Sequence, residues 1–255
     1  MGMVLLNLQK AFDTVDHDIL LMKLELLGLS SDAIRWSRSY VSGRQQLVDV
    51  SGTFSSQANI SCCVLQGSVL GPLLFLIYVN DMSAVVKQKL LLYADDAAVL
   101  VSGTNTEQVQ SLLSGELEMV SEWLIGNKLS LHLGKTESIL FGSKSRLSAQ
   151  SDMTISCHTN VIGAKTQVKY LGAILDQTLS CESMALSIIQ KANARLKFLY
   201  RKCRYLTFIT NKLLVVSLIQ CHFDNAFSFW FVGLSQSVKN RLQTTQNKLV
   251  CFKFR

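Results

Sequence analysis

Two aspartates stand side by side in Tyr93-Ala94-Asp95-Asp96, between the apolar runs Leu90–Tyr93 and Ala97–Val101. Each run reads as a buried strand, so the pair falls at the tip of a tight hairpin. Adjacent carboxylates on a rigid turn suit Mg2+, a hard cation often held by one or two carboxylates together with substrate phosphates. Aspartate is also common in turns that only reverse the chain. The surrounding sequence has to decide between the two.

The chain has 255 residues, 49% of them hydrophobic, and a single proline, Pro72. That length and composition suit an ordered globular chain with an ample core, as one large domain or two small ones. No basic stretch leads into an apolar run and a small-residue cleavage site at the N-terminus, so no secretory signal is expected. Val69–Val79 is too short to span a bilayer, and Leu213–Leu234 carries Gln220, His222, Asp224 and Asn225 near its middle. The second run therefore reads as buried helix or strand. Seven cysteines without a Cys-x-x-Cys pair fit reduced thiols and an intracellular setting, nucleus or cytoplasm, better than a disulfide framework.

The charge is unevenly placed. Residues 1–102 hold 7 Lys/Arg against 9 Asp/Glu, whereas residues 103–255 hold 18 against 9. Between Ala185 and Lys212 lie Lys191, Arg195, Lys197, Arg201, Lys202, Arg204 and Lys212 with no acid among them. A carboxylate-bearing half followed by a basic half suggests metal chemistry beside a polyanion-binding surface. A solvated helix face would also explain a basic run.

The elements that must position these groups are legible in outline. Val4–Leu8 reads as a strand. Asp16 caps a helix to about Leu27 that Gly28 stops, and Ser31 caps another that ends at Gly43. Gln45–Val50 and Asn59–Val64 read as paired strands. Ser68 opens a helix through Val79 that is apolar all round and so expected to be buried. After the Asp-Asp hairpin, an amphipathic helix spans about Thr106–Ile125. Thr136–Phe141 and Gln167–Leu175 read as strands, with a Ser/Lys-rich loop near Ser143–Ser151, and a helical, basic stretch begins at Met184. The order describes an α+β sheet domain with a helical appendage.

Five segments then carry a resemblance: Leu6-Asn-Leu-Gln-Lys-Ala-Phe-Asp-Thr-Val-Asp-His17, Leu65-Gln-Gly-Ser-Val-Leu-Gly-Pro-Leu-Leu74, Tyr93-Ala-Asp-Asp96, Leu129-Ser-Leu-His-Leu-Gly-Lys-Thr-Glu137 and Lys169-Tyr-Leu-Gly-Ala-Ile-Leu-Asp176. In order and spacing they resemble the reverse transcriptases of non-LTR (LINE-type) retrotransposons. The resemblance implies a right-hand fold, with residues 1–176 as palm and 177–255 as a helical, basic thumb. It implies RNA-directed DNA polymerisation on an RNA template and DNA primer, with deoxynucleotide triphosphates and two Mg2+ ions, and no membrane. Asp95 and Asp96 would be catalytic metal ligands, with Lys135 near the triphosphate. Phe12, under the incoming sugar, would line the nucleotide pocket with Gln66 and Gly67. Tyr170, Leu171 and Gly172 would grip the primer end, and Lys191, Arg195, Arg201 and Lys202 would track the duplex backbone.

Two departures and one boundary accompany the match. The family's aspartate five residues before the aromatic gate is Asn7 here, which supplies one neutral oxygen where two-metal chemistry needs a bridging carboxylate. Before Gln66 the family usually has Gly-Val-Pro, where this chain has Cys63-Val64-Leu65. The match also opens at the first palm strand, so fingers segments and an accompanying endonuclease are expected to be missing, as in a truncated copy. The expectation is a degenerate polymerase, weak or inactive. The alternative is a non-catalytic nucleic-acid-binding remnant; an unrelated metal-dependent hydrolase would explain the Asp pair and none of the other four segments.

Overall fold

The computed structural model describes every residue except 149–152, 159, 203–204 and 254–255, and the side chain of Lys253 is also outside it. Arg204 and the end of the Ser/Lys-rich loop therefore lie outside the described residues. In chain order the elements are β1 (Gly2–Asn7), α1 (His17–Leu26), α2 (Ser31–Val41), β2 (Gln45–Gln46), β3 (Asp49–Val50), β4 (Thr53–Phe54), β5 (Ala58–Asn59), α3 (Gly71–Val79), α4 (Met82–Val85), β6 (Lys89–Tyr93), β7 (Asp96–Val101), α5 (Thr106–Gly126), β8 (Glu137–Leu140), α6 (Lys144–Ser148), β9 (Thr154–Cys157), β10 (Asn160–Gly163), β11 (Gln167–Tyr170), β12 (Ala173–Asp176), α7 (Glu182–Lys202), α8 (Phe208–Val215), α9 (Cys221–Asp224), α10 (Phe227–Trp230) and α11 (Gln236–Lys253). They form two compact units, residues 1–140 with 150–165, and residues 141–149 with 166–255.

The first unit is built on an antiparallel sheet in the order β6-β7-β1-β8. Val4, Leu6, Ala97, Val99 and Ile139 are buried within it. Helix α5 lays Val109, Leu113, Leu117, Val120 and Leu124, one stripe at helical spacing, into this core. Asp16 caps α1 by accepting from the N–H groups of Asp18 and Ile19. Lys23, buried in α1, donates to the Tyr78 carbonyl and to Asp81 and lies over the rings of Tyr78 and Trp123, which ties α1 to α3 and α5.

The second unit packs α7 and α11 around Ile188, Ala192, Leu196, Leu242, Leu249 and Phe252. Asp176, at the end of β12, sets the start of α7. Its carboxylate accepts from the N–H groups of Thr178, Ser180 and Cys181 and from the hydroxyls of Thr178 and Ser180, at 2.8–3.1 Å.

Several elements depart from the sequence reading for identifiable reasons. Ser30, not Ser31, caps α2. Helix α3 begins at Gly71, because Ser68 closes a turn onto Leu65 instead, and Leu73 and Leu76 of this wholly apolar helix are about half exposed. The expected pair Gln45–Val50 and Asn59–Val64 shrinks to the short β2–β5 and β3–β4 pairings. Strand β6 is half-buried at the sheet edge, whereas β7 is buried as expected. Gln167–Leu175 is a hairpin, since Leu171 (φ +47°) and Gly172 (φ +85°) reverse the chain between β11 and β12. That hairpin belongs to the second compact unit, together with residues 141–149. The run Leu213–Leu234 is a broken helical series: α8, a π-helical turn at Val216–Gln220, α9 and α10. Among the described residues no helix is long and apolar enough to cross a membrane.

Candidate active site

Three chain segments and the β6–β7 hairpin converge in the first unit. Tyr93 pairs with Asp96, so Ala94 (φ +52°) and Asp95 form a two-residue turn between β6 and β7. On the other side of β7, Asp96 is paired in register with Asn7, the last residue of β1. Residues directly opposite on antiparallel strands share a face, with Cβ atoms about 5 Å apart. The position at which the resemblance expects a carboxylate is thus beside Asp96, and the residue there is Asn7.

Asp95 is exposed and Asp96 half-buried. Burial, then the neighbouring Asp95 carboxylate, push Asp96 above its ordinary value. Such a group gains most from a cation, and its proton competes with that cation as the pH falls. Among the described residues no cluster of three His, Cys, Asp or Glu side chains is placed to hold a metal. Two carboxylates and one amide oxygen fit a single Mg2+ that shares substrate phosphates; they do not fit a pair of bridged ions.

Beyond Asn7 the chain runs against the segment that leads to Lys135. Gln9 N–H donates to the Ser130 carbonyl, Leu8 bridges Leu131, and His132 N–H donates to the Asn7 carbonyl at 2.7 Å. Lys135 follows, exposed, in the 3-10 turn Leu133–Lys135. Lys128 on the same stretch bonds Asp16 at 2.6 Å. Burial acts to raise Asp16, but Lys128 and the cap N–H groups outweigh it and hold the carboxyl below its usual value.

Phe12 stacks on Phe75 of α3, ring centroids 4.5 Å apart at 23°, so its ring is fixed by packing and only half-buried. Its carbonyl accepts from Val64 N–H, and Val15's from Cys63 N–H, which sets Phe12 next to the turn carrying Gln66 and Gly67. Both turn residues are exposed, with Gly67 at φ +80°. Leu65, standing where proline was expected, still closes the turn: its carbonyl accepts from the N–H and the hydroxyl of Ser68. Gly71 seals it, because a Cβ there would lie 2.4 Å from the Leu65 carbonyl oxygen. Gly71 is a site-shaping residue that motif reading passed over, although it stands within the quoted segment.

Cys63 takes φ +116°, a region that side chains avoid. His17 Nε2 lies 2.9 Å from its carbonyl, and its N–H is bonded to Val15, so both ends are held. This is the position where the family pattern has glycine. Cys63→Gly is expected to stabilise the chain by about 1 kcal/mol, strain relief of about 1–3 kcal/mol less the added freedom of the unfolded glycine. Thermal unfolding checks it; an unchanged or lower Tm would mean that the strain is negligible.

The remaining predicted residues lie in the second unit. Tyr170 ends β11, with Leu171 and Gly172 as the hairpin turn. Lys191, Arg201 and Lys202 are exposed on α7. Arg195 differs: its guanidinium is directed at the Leu218 carbonyl and His222 Nε2, so it is engaged within the helical unit.

The family model described as reverse transcriptase (RNA-dependent DNA polymerase) matches residues 2–175. The chain belongs to that family. Its similar proteins are mobile-element polymerases, which makes it a LINE-type reverse transcriptase domain. The RNA-directed DNA polymerase from mobile element jockey of Drosophila funebris is 30% identical over 83% of this chain and 23% of that protein. The probable RNA-directed DNA polymerases from transposons X-element and BS of Drosophila melanogaster are each 26% identical over 96% of the chain, and 27% and 28% of those proteins. The chain thus spans about a quarter of the length of these relatives. Apo telomerase from Candida tropicalis overlaps 99% of the chain and 47% of its own at 12% identity and a TM-score of 0.49, a likeness too distant to bear on function.

Proposed function

We propose that this reverse transcriptase domain receives an RNA template, a DNA primer and a deoxynucleotide, and extends the primer at a small fraction of the rate its own architecture would allow. The observation that carries this is the register of Asn7 against Asp96. The reaction joins the primer 3′-hydroxyl to the α-phosphate of the nucleotide and releases pyrophosphate. A bound Mg2+ would supply the positive charge that such a reaction needs at its phosphates.

The chain's own residues supply the positioning. Phe12, stiffened by Phe75, is a flat wall for the sugar. The Gln66–Gly67 turn offers exposed backbone to the nucleotide, and Lys135 a flexible cation for the triphosphate. Tyr170, Leu171 and Gly172 form a stiff hairpin tip suited to a primer terminus. Lys191, Arg201 and Lys202 offer charge to phosphates, in an intracellular, nuclear or cytoplasmic, setting. What the site lacks is the second anionic arm that would hold two cations at once.

A second reading, a nucleic-acid-binding domain without catalysis, is favoured by the acid-free basic stretch from 185 to 212. Primer extension on an RNA template with Mg2+ separates the two, run for the chain and its Asn7→Asp variant at equal concentration. A trace of activity that the variant multiplies supports the proposal. Steeply salt-dependent binding with neither protein extending the primer supports the second reading.

A further inference from the structure

The second unit carries a concavity that the polymerase reading leaves unused. It lies between α10 and the first half of α11, has a volume of about 330 Å3, and is lined by Phe227, Trp230 and Phe231 on one side and by Gln236, Lys239 and Asn240 on the other. Phe227 and Phe231 stack at 4.6 Å and 24°, and Phe227 is 44% exposed. Trp230 is buried behind them with its indole N–H given to the Asn225 carbonyl, so it serves as a floor. Lys239 Nζ lies 5.3 Å from the Phe231 ring centre.

We infer that this pocket takes the base of one unpaired nucleotide, stacked on Phe227, in a strand bound along α11. Three observations point to that ligand class. Phe227 stacks on Phe231 and meets Trp230 edge to face, and at 44% exposure it presents the accessible part of this aromatic cluster to a base. The opposite wall is made of amides: Gln236 and Asn240 bond each other at 3.0 Å, which uses one donor of the first and one acceptor lone pair of the second. Each amide carries two N–H donors and an acceptor oxygen, so the pair retains capacity for a base edge. The chain around the pocket is mainly basic, since residues 225–255 contain five Lys/Arg and no Asp or Glu; the acids near it are Asp224, next in sequence, and Glu182, which accepts from Ser235 beside Gln236. An adjoining hollow of about 220 Å3 shares Gln243 and Gln246 with the pocket, continuing the groove along the same helix. Bridged to the phosphate by Lys239, a single base fits the lower end of the size range of small-molecule sites.

The inference rests on the reading of the chain as a nucleic-acid-binding domain. Its test uses the full chain and fluorescein-labelled 12-nucleotide single-stranded RNA, single-stranded DNA of the same sequence, and the RNA–DNA duplex they form. Phe227→Leu keeps an apolar side chain, and Asn240→Leu alters an exposed helix position that tolerates leucine. Both are expected to weaken single-strand binding about tenfold and leave duplex binding within twofold. Lys239→Gln is expected to make the slope of log affinity against log salt shallower by about 0.7 for the single strand. Equal RNA and DNA effects fit a base-stacking site; an RNA-only effect adds 2′-hydroxyl recognition to it. Unchanged single-strand affinity in both leucine variants, or an equal loss on single strand and duplex, overturns the pocket and leaves nucleic-acid binding intact. A parent chain that binds neither strand nor duplex overturns both readings.

Discussion

The Asn7→Asp variant is expected to extend a primer on an RNA template about a thousandfold faster than the chain as it stands. The size follows from what the position must supply. Transition-state charge held by a bridging carboxylate and its cation is worth several kcal/mol, and about 4 kcal/mol corresponds to a thousandfold in rate. The structure makes the replacement local: Asn7 ends β1, its carbonyl is already bonded to His132 N–H, and its side chain shares a face with Asp96. No backbone rearrangement is needed to bring an aspartate beside the pair. An increase below about tenfold would mean that geometry elsewhere, not the missing charge, sets the rate.

Removing the Asp176 carboxylate is expected to cost about 2–3 kcal/mol at neutral pH, among the largest stability effects available at a single polar side chain here. Five donors converge on it, three of them backbone N–H groups at the entry to α7. Asp176→Ala leaves them without their acceptor in a buried setting. The pH dependence has a fixed sign. Burial acts to raise the Asp176 carboxyl, but its donors outweigh that and hold it below its ordinary value of 3.8. A depressed carboxylate contributes its stability fully above the unfolded value and loses it as pH falls through the folded value. Between about pH 5 and pH 2 the parent should therefore lose stability more steeply than Asp176→Ala, read as Tm against pH. Parallel curves would show that the donors do not favour the charged form.

Much of the first unit was legible because its signals are local. Alternation and apolar runs mark β1 and β7, the Asp16 cap marks α1, and the stripe from Val109 to Leu124 marks α5. Motif order named Asn7 and Asp96 together, and the register of β1 against β7 gives that pairing a physical cause. Other features depend on tertiary context. The Leu171–Gly172 reversal was hidden because leucine is a poor turn residue and Gln167–Leu175 is apolar enough to read as one strand. The strain at Cys63 follows from pairing with Val15 and His17, about 46 residues away in sequence. Gly71 looked like ordinary helix sequence until its approach to the Leu65 carbonyl was visible. The π-helical break at Val216–Gln220 and the pocket beside α11 leave no periodic trace that could announce them.

We propose that Asn7 stands where a carboxylate would face Asp96, and thermal unfolding against Mg2+ concentration tests this without relying on catalysis. Without metal, Asn7→Asp sets like charges directly opposite across β1 and β7. It should lower stability by up to about 1 kcal/mol, a few degrees in Tm for a chain of this size. Titrated Mg2+ should then raise the variant's Tm more than the parent's, because only the variant offers three carboxylates to the ion. Matching Mg2+ responses in the two proteins, with no loss in the metal-free variant, would show that position 7 does not share a cation site with Asp96.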